Sequence, residues 1–238
     1  MVQTFLIIAS VLISLTKAQS APAIKPCLST DEDCILENAI RLIPIFADGI
    51  PDYGVKTMDP ILFKNIDASS PNLKFLLSDL TIKGLKTCKP LKLTRSKAKS
   101  NVHIKISCAL NIDGDYEMEG QILVLKIVGK GKVHAFLPNI ELAADLETYE
   151  KEKNGDTYLR IKRFNHSFDI KGKSDLVFEG LLHDNPVLAE ATEDLIKNSG
   201  NEVIKEIGGK VVETVVTAVV ENVNNFFGKL PQKEYSLD

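Results

Sequence analysis

The 238-residue chain carries 29 Lys and Arg against 32 Asp and Glu, has a mean hydropathy of +0.00 and contains no Trp. This weakly acidic balance excludes a general nucleic-acid binder, which needs a strongly basic face. With 44% apolar residues there is enough material for a sizeable core, and the length suits one domain or at most two small ones. Gly and Pro are scattered, so there is no linker, low-complexity segment or fixed-period repeat.

In chain order, residues 5–15 (FLIIASVLISL) form a short apolar run followed by Thr16-Lys17-Ala18. The length fits a signal-peptide core of ~7–15 residues rather than a spanning helix of ~20. Residues 1–4 lack the usual basic residue. No amphipathic pattern accompanies the run, which weighs against a buried helix. The expected organisation is therefore a signal peptide at 1–18 and a mature domain at 19–238, secreted to the extracellular space. No later stretch has the length of a transmembrane segment; residues 211–220 (VVETVVTAVV) are interrupted by Glu213 and two Thr.

An even count of cysteines (Cys27, Cys34, Cys88 and Cys108) in an exported chain suggests disulfides. A Cys27–Cys34 bridge would pin the N-terminal arm to the helix that follows. Zinc is disfavoured, because the spacing is wrong for paired knuckles and no His sits at metal-ligand spacing nearby; no metal site is expected. Cys88 and Cys108 flank a polar turn at residues 95–100, which would set them opposite each other in a hairpin. Leu91 and Leu93 set a parity that puts Cys88 on the other face from Cys108, unless Lys89-Pro90 hides a bulge.

Residues 31–46 read as a helix, with Ser29, Thr30 or Asp31 as cap and an apolar face of Ile35, Leu36, Ala39, Leu42, Ile43 and Phe46. Gly49 and Pro51 stop it. From about Asp79 to Glu179 the chain reads as strands. Val102, Ile104, Ile106, Cys108, Leu110 and Ile112 alternate with polar neighbours. Asp113-Gly114 is expected to turn, Gly129 and Gly131 to break the next strand, and Asn154-Gly155 to make a hairpin. Strands are expected again at residues 140–146, 158–170 and 176–178.

The last third is helical. Asn185-Pro186 is a start signal. A polar stripe (Glu202, Glu206, Lys210, Glu213, Thr217, Glu221, Asn224) faces Ile204, Ile207, Val211, Val215, Val219, Val223 and Phe226. The spacing predicts a break near Ser199-Gly200 and then one long helix to Phe227. The fold class is thus α+β: an elongated single domain in which a strongly curved antiparallel sheet wraps a long C-terminal helix, the simplest way to bury that apolar face.

Catalytic signatures are missing: no GxSxG elbow, HExxH or P-loop occurs, and Gly129-Lys130-Gly131 only begins a dinucleotide fingerprint. His103, His134, His166 and His183 share no ligand spacing. The expectation is a protein that is not an enzyme and needs no cofactor. Lys83, Lys86, Lys89, Lys92, Arg95, Lys97, Lys99 and Lys105 make a basic stretch that would suit anionic lipid headgroups or a receptor; its plain reading is the solvated side of a hairpin, with lysines guarding an edge. Asn165-His166-Ser167 is a glycosylation sequon.

Five segments, in order across nearly the whole mature chain, resemble the insect takeout and haemolymph juvenile-hormone-binding proteins. The first is the early cysteine pair before Leu42-Ile43-Pro44 and Gly49-Ile50-Pro51. Next come Met58-Asp59-Pro60-Ile61 and Asp79-Leu80-Thr81-Ile82-Lys83-Gly84-Leu85. The fourth opens with Tyr116-Glu117-Met118-Glu119-Gly120-Gln121 and runs to Ile127-Val128-Gly129-Lys130-Gly131. Residues 222–231 (NVNNFFGKLP) close the series. The resemblance implies a curved sheet around a long helix, and an apolar tunnel for a juvenile hormone or another terpenoid or lipid. It also implies the shared Cys27–Cys34 disulfide, whereas Cys88 and Cys108 do not match the position expected for a second family bridge. Leu42, Phe46, Ile207, Val211, Val215 and Val219 are the expected pocket lining. A small hydrophobic ligand is the expected partner, with membrane or receptor contact for delivery, and a monomer the expected state. The competing reading is a secreted signalling protein acting through a surface receptor with no essential ligand; a secreted hydrolase stands third.

Overall fold

The computed structural model describes residues 22–123, 125–182 and 186–238. The expected signal peptide, His183 and Asn185 therefore lie outside the described residues. No helix among the described residues is long and apolar enough to cross a membrane.

Helix α1 (Glu32–Asp48) begins where its cap dictates: the Asp31 carboxylate accepts the Cys34 backbone N–H at 3.0 Å, and Glu32 and Asp33 sit in the favourable first turn. It ends at Gly49, whose φ of 87° is open to glycine.

Seven strands follow: β1 (Ile61–Asp67), β2 (Leu73–Lys83), β3 (Lys89–Ser96), β4 (Asn101–Ile122), β5 (Leu125–Lys153), β6 (Asp156–Ile170) and β7 (Asp175–Phe178). They form one antiparallel sheet in the order β1-β2-β4-β5-β6, with β3 on β4 and β7 on β5. The sheet is not closed, and β1 and β6 are edges of the main path. The Asn154-Gly155 hairpin is present with both residues at positive φ, as a two-residue turn demands.

The structure corrects the strand reading in three places. The sheet starts at Ile61 rather than near Asp79, because β1 and β2 precede it. Asp113-Gly114 does not turn; β4 runs through it, and a Cβ on Gly114 would press on Leu80. Gly129 and Gly131 do not break β5, which is 29 residues long. A Cβ on Gly131 would overlap the Glu179 carbonyl, so these glycines make room for the segment that crosses beside them. The β4–β5 reversal falls instead within the apolar run at Leu123, at φ 52°, where no Gly, Asn or Pro announces a turn.

Both cysteine pairs are disulfides: Cys27–Cys34 with Cα atoms 5.9 Å apart and Cys88–Cys108 with Cα atoms 4.3 Å apart. Lys89 pairs with Ser107, and the β3–β4 register then slips by one residue between Pro90 and Lys92. That bulge reconciles the parity of Leu93 with the position of Cys88.

The C-terminal region is three helices: α2 (Pro186–Asn198), α3 (Gly200–Ile207) and α4 (Gly209–Phe227). The break expected at Ser199-Gly200 occurs. A second, at Gly208, replaces the expected single run, although Val212 still donates to the Gly208 carbonyl at 2.9 Å. The main core lies between sheet and helices and holds Phe75, Leu80, Ile82, Tyr116, Met118, Phe178, Val203 and Ile207. A smaller cluster of Ile50, Val55, Phe226 and Leu230 forms beside the end of α4, with Phe46, Tyr53, Phe227 and Tyr235 packed on it.

Candidate functional site

Between α1, the β3–β4 hairpin, β6 and the end of α4 lies a cavity of about 340 Å³. Each element contributes through its own periodicity. Helix α1 turns Ile35, Ala39, Leu42, Ile43 and Phe46 toward it, at steps of three and four. On β4 the even-numbered Val102, Ile104 and Ile106 face it, while His103 and Lys105 point away to Asp145 and Glu141 of β5. Leu93 from β3, Leu146 from β5 and Leu159 and Ile161 from β6 complete the sheet side. Val219, Val223 and Phe227 come from the last turns of α4.

Polar residues also stand in this wall, but most of their hydrogen-bonding groups are already committed. Asn38 donates to the Lys25 carbonyl at 2.8 Å and accepts the Lys25 N–H at 3.1 Å. Asn224 accepts the Ile161 N–H at 2.7 Å. Arg160 donates to the Asn224 carbonyl at 2.7 Å, and Arg95 to the Ser236 hydroxyl at 3.0 Å. The Ser29 hydroxyl donates to Asp238 at 2.6 Å, and that bond holds the Asp238 carboxyl below its ordinary range. The buried Tyr235 hydroxyl has no partner among the described residues, and burial pushes its pKa up to about 12. A space lined this way offers dispersion contact and water exclusion to an apolar guest.

A cluster of rings stands beside the cavity, and Phe46, Phe227 and Tyr235 belong to both. Phe226 lies 4.8 Å from Phe46, 5.0 Å from Tyr53 and 5.2 Å from Phe227, centroid to centroid. Phe227 in turn meets Tyr235 at 4.9 Å. The C-terminal segment is tied alongside: Cys27 donates to the Tyr235 carbonyl at 3.1 Å and Leu237 to the Cys27 carbonyl at 3.0 Å.

Of the six lining residues expected from sequence, Leu42, Phe46 and Val219 border this cavity. Ile207, Val211 and Val215 do not. Ile207, the last residue of α3, is buried in the main core and the two valines pack against that core, so α3 and the first turns of α4 serve the core and only the last turns of α4 line the cavity. The β-strand lining was not singled out from sequence, although the alternation at residues 102–106 carried the signal.

Among the described residues no three His, Cys, Asp or Glu gather as a metal site. His134 has Asp113 at 2.7 Å on one ring nitrogen and Glu179 at 3.6 Å on the other, on the exposed outer face. Asn165 is exposed on edge strand β6.

The profile of the haemolymph juvenile hormone binding protein family matches residues 4–236. The chain belongs to this family. Two curated relatives are the circadian clock-controlled protein daywake of Drosophila melanogaster, 26% identical over 71% of this chain and 70% of its own, and that of Drosophila yakuba, 25% identical over 75% and 73%. The crystal structure of Epiphyas postvittana Takeout 1 has the same fold, with a TM-score of 0.85 at 24% identity, covering 90% of this chain and 100% of that one. Membership in a haemolymph juvenile hormone binding family thus joins an internal apolar cavity and two disulfides in one molecule.

Proposed function

We propose that this protein is a secreted carrier that encloses a small elongated hydrophobic molecule, a juvenile hormone or another terpenoid or lipid, and performs no catalysis on it. The observation that carries the reading is the cavity itself. Its volume of about 340 Å³ lies at the lower end of the ~300–1,000 Å³ common for small-molecule sites. Its lining is aliphatic and aromatic, with most polar neighbours already hydrogen-bonded. A hydrocarbon-rich guest gains roughly 0.8 kcal/mol per CH₂ removed from water there. In this reading the sheet curves around α3 and α4, and the cavity is one stretch of a tunnel that Val211 and Val215 would continue along α4. The juvenile hormone in the family's name supports the ligand class, and the disulfides and the exposed sequon support export. A receptor-only signalling protein would need no such space.

Titration of the purified mature protein with a fluorescent fatty-acid or terpenoid probe tests the reading, together with mass spectrometry of extract from native-source protein. Saturable binding displaced by the extracted molecule is expected. Flat titrations and a lipid-free extract would remove it.

A further inference from the structure

The basic stretch singled out in the sequence has a property that guarding an edge does not explain. Between Asp79 and Asp113 the chain has no Asp or Glu at all, yet it holds Lys83, Lys86, Lys89, Lys92, Arg95, Lys97, Lys99 and Lys105, in a chain whose overall formal charge is −3. Two of these cations are neutralised in the fold: Lys86 pairs with Asp48 at 2.6 Å and Lys105 with Glu141 at 2.8 Å. Arg95 is turned to the cavity wall and Ser236. The remaining five lysines are exposed, and none has an ion-pair partner among the described residues. Lys97 faces the Asp238 carboxylate only at longer range.

The fold strings these five along one side of β4 over roughly 30 Å at ~3.3 Å per residue: Lys83 lies opposite Asn111, Lys89 and Lys92 opposite Ser107 and Lys105, and the 97–99 turn comes just before Asn101. Lys89 and Lys92 stand on β3, which pairs only with β4; Lys97 and Lys99 stand in the turn between the two strands; Lys83 ends β2 just before. The other edges differ. Strand β1 carries one lysine. Strand β6 mixes signs, and its Lys162 and Arg163 are both paired with Glu147. Lysines on an edge block strand pairing, but five unpaired lysines with no carboxylate between residues 80 and 112 also make a surface complementary to an anionic partner.

The cavity lies directly behind. Leu93 and Arg95 of the same strand line it, and α1 packs along β3 with Ile40 turned outward, 54% exposed. Leu91, at the β3 bulge, and Leu28, which borders the cavity, are each 46% exposed. Lys89 and Lys92 face away from the cavity, as their partners Ser107 and Lys105 do, while Leu28 and Ile40 belong to the cavity side; a bilayer met edge-on touches both, its headgroups taking the charge and its acyl chains the aliphatic side chains. A single-stranded nucleic acid would ask for aromatic stacking, and no Phe, Tyr or Trp occurs between Phe75 and Tyr116.

We propose that the lysine-rich β3 edge and its 97–99 turn, with Leu28, Ile40 and Leu91, form a docking surface for an anionic lipid bilayer, set against the wall of the ligand cavity. The inference rests on the carrier reading for its purpose: an apolar cargo resides in bilayers, and docking brings the cavity to that reservoir. The docking itself is measurable without any cargo.

The test is flotation of the purified protein with phosphatidylcholine vesicles and with vesicles also containing phosphatidylserine. The parent protein is expected to float only with the anionic vesicles, and to be released when salt is raised from ~0.1 M to ~1 M, where the screening length drops from about 10 Å to about 3 Å. The variant K83Q/K89Q/K92Q/K99Q touches no cavity residue. At about fivefold per lysine near an anionic surface, it should bind these vesicles several-hundredfold more weakly while binding an apolar probe as the parent does. Equal flotation of parent and variant, equal flotation with both vesicle types, or no flotation of the parent would each overturn the proposal; in the last case the lysines serve a protein partner. Loss of probe binding with anionic flotation intact would instead remove the carrier reading and leave the docking surface standing.

Discussion

Ala39→Trp should close the cavity from inside while leaving the fold in place. Ala39 sits mid-way along α1 on the face that lines the cavity, and its neighbour Ile40 points to solvent. An indole adds about nine heavy atoms in space where each CH₂-sized group of a guest is worth roughly 0.8 kcal/mol. If only half of that displaced contact is realised, binding weakens by about 3–4 kcal/mol, which is two to three decades in Kd. The helix itself loses no more than about 0.7 kcal/mol, so Tm should fall by only about 1–3 °C. The natural chain has no Trp, so the variant carries its own reporter. Titration with an apolar fluorescent probe should show the lost affinity, and the single indole should emit as a buried ring. Ile40→Trp, one residue along, should bind the probe as the parent does and emit as a hydrated ring. If Ala39→Trp keeps parental affinity, or if both variants lose it equally, the cavity on this face of α1 is not the binding site.

The two disulfides should separate by loop length. Removing Cys88–Cys108, with a sequence separation of 20, is worth about 3.3 kcal/mol of chain entropy, and removing Cys27–Cys34, with a separation of 7, about 2.3 kcal/mol. Calorimetry should place the double-Ala variants about 2–4 °C apart in Tm, and the reverse order would reject the assignment. Phe226→Ala empties a site that is 0% exposed and ringed by three aromatics; a loss of about 3–5 kcal/mol is expected in urea unfolding. Tyr235 is held neutral by burial, with a pKa pushed up to about 12. A raised folded pKa gives stability that is complete below the unfolded value near 10 and fades as pH climbs toward 12. Tyr235→Phe should flatten part of that alkaline loss, leaving the part due to Tyr116, also raised to about 12, and should not destabilise at neutral pH because the hydroxyl has no partner to lose. Asn165→Gln should abolish a glycosidase-sensitive gel shift of protein secreted from eukaryotic cells; persistence of that shift would place the glycan elsewhere.

Local chemistry was the legible part of this chain. The helix cap, the Gly49 stop and the Asn154-Gly155 hairpin each carry their signal within a few residues; the structure has the stop and the hairpin as expected and selects Asp31 from the three cap candidates at residues 29–31. The misread glycines show the limit of that logic. Gly114, Gly129 and Gly131 lie inside long strands because of what approaches them from elsewhere: Leu80 in one case and the 179–181 segment in the others. A crossing partner far along the chain leaves no mark in the local pattern. The site divides the same way. Leu42, Phe46 and Val219 could be named from helical stripes, yet the same stripe on α4 continues through Val211 and Val215 onto the core. Periodicity identifies an apolar face but not what that face meets. The strand lining needed the register of β3 on β4, and that depended on a bulge beside Pro90.

The cavity wall is finished by the two ends of the described chain. Cys27 is bonded to Tyr235, and Ser29 to Asp238, 209 positions later. During synthesis the β3–β4 hairpin and its Cys88–Cys108 loop can form while more than half of the chain is still to come. The enclosure cannot: it lacks a side until residues 235–238 have been made and have found their place against residues 27–29, a closure over nearly the full contour of the chain. The cavity's full wall therefore exists only once residues 235–238 have docked against residues 27–29.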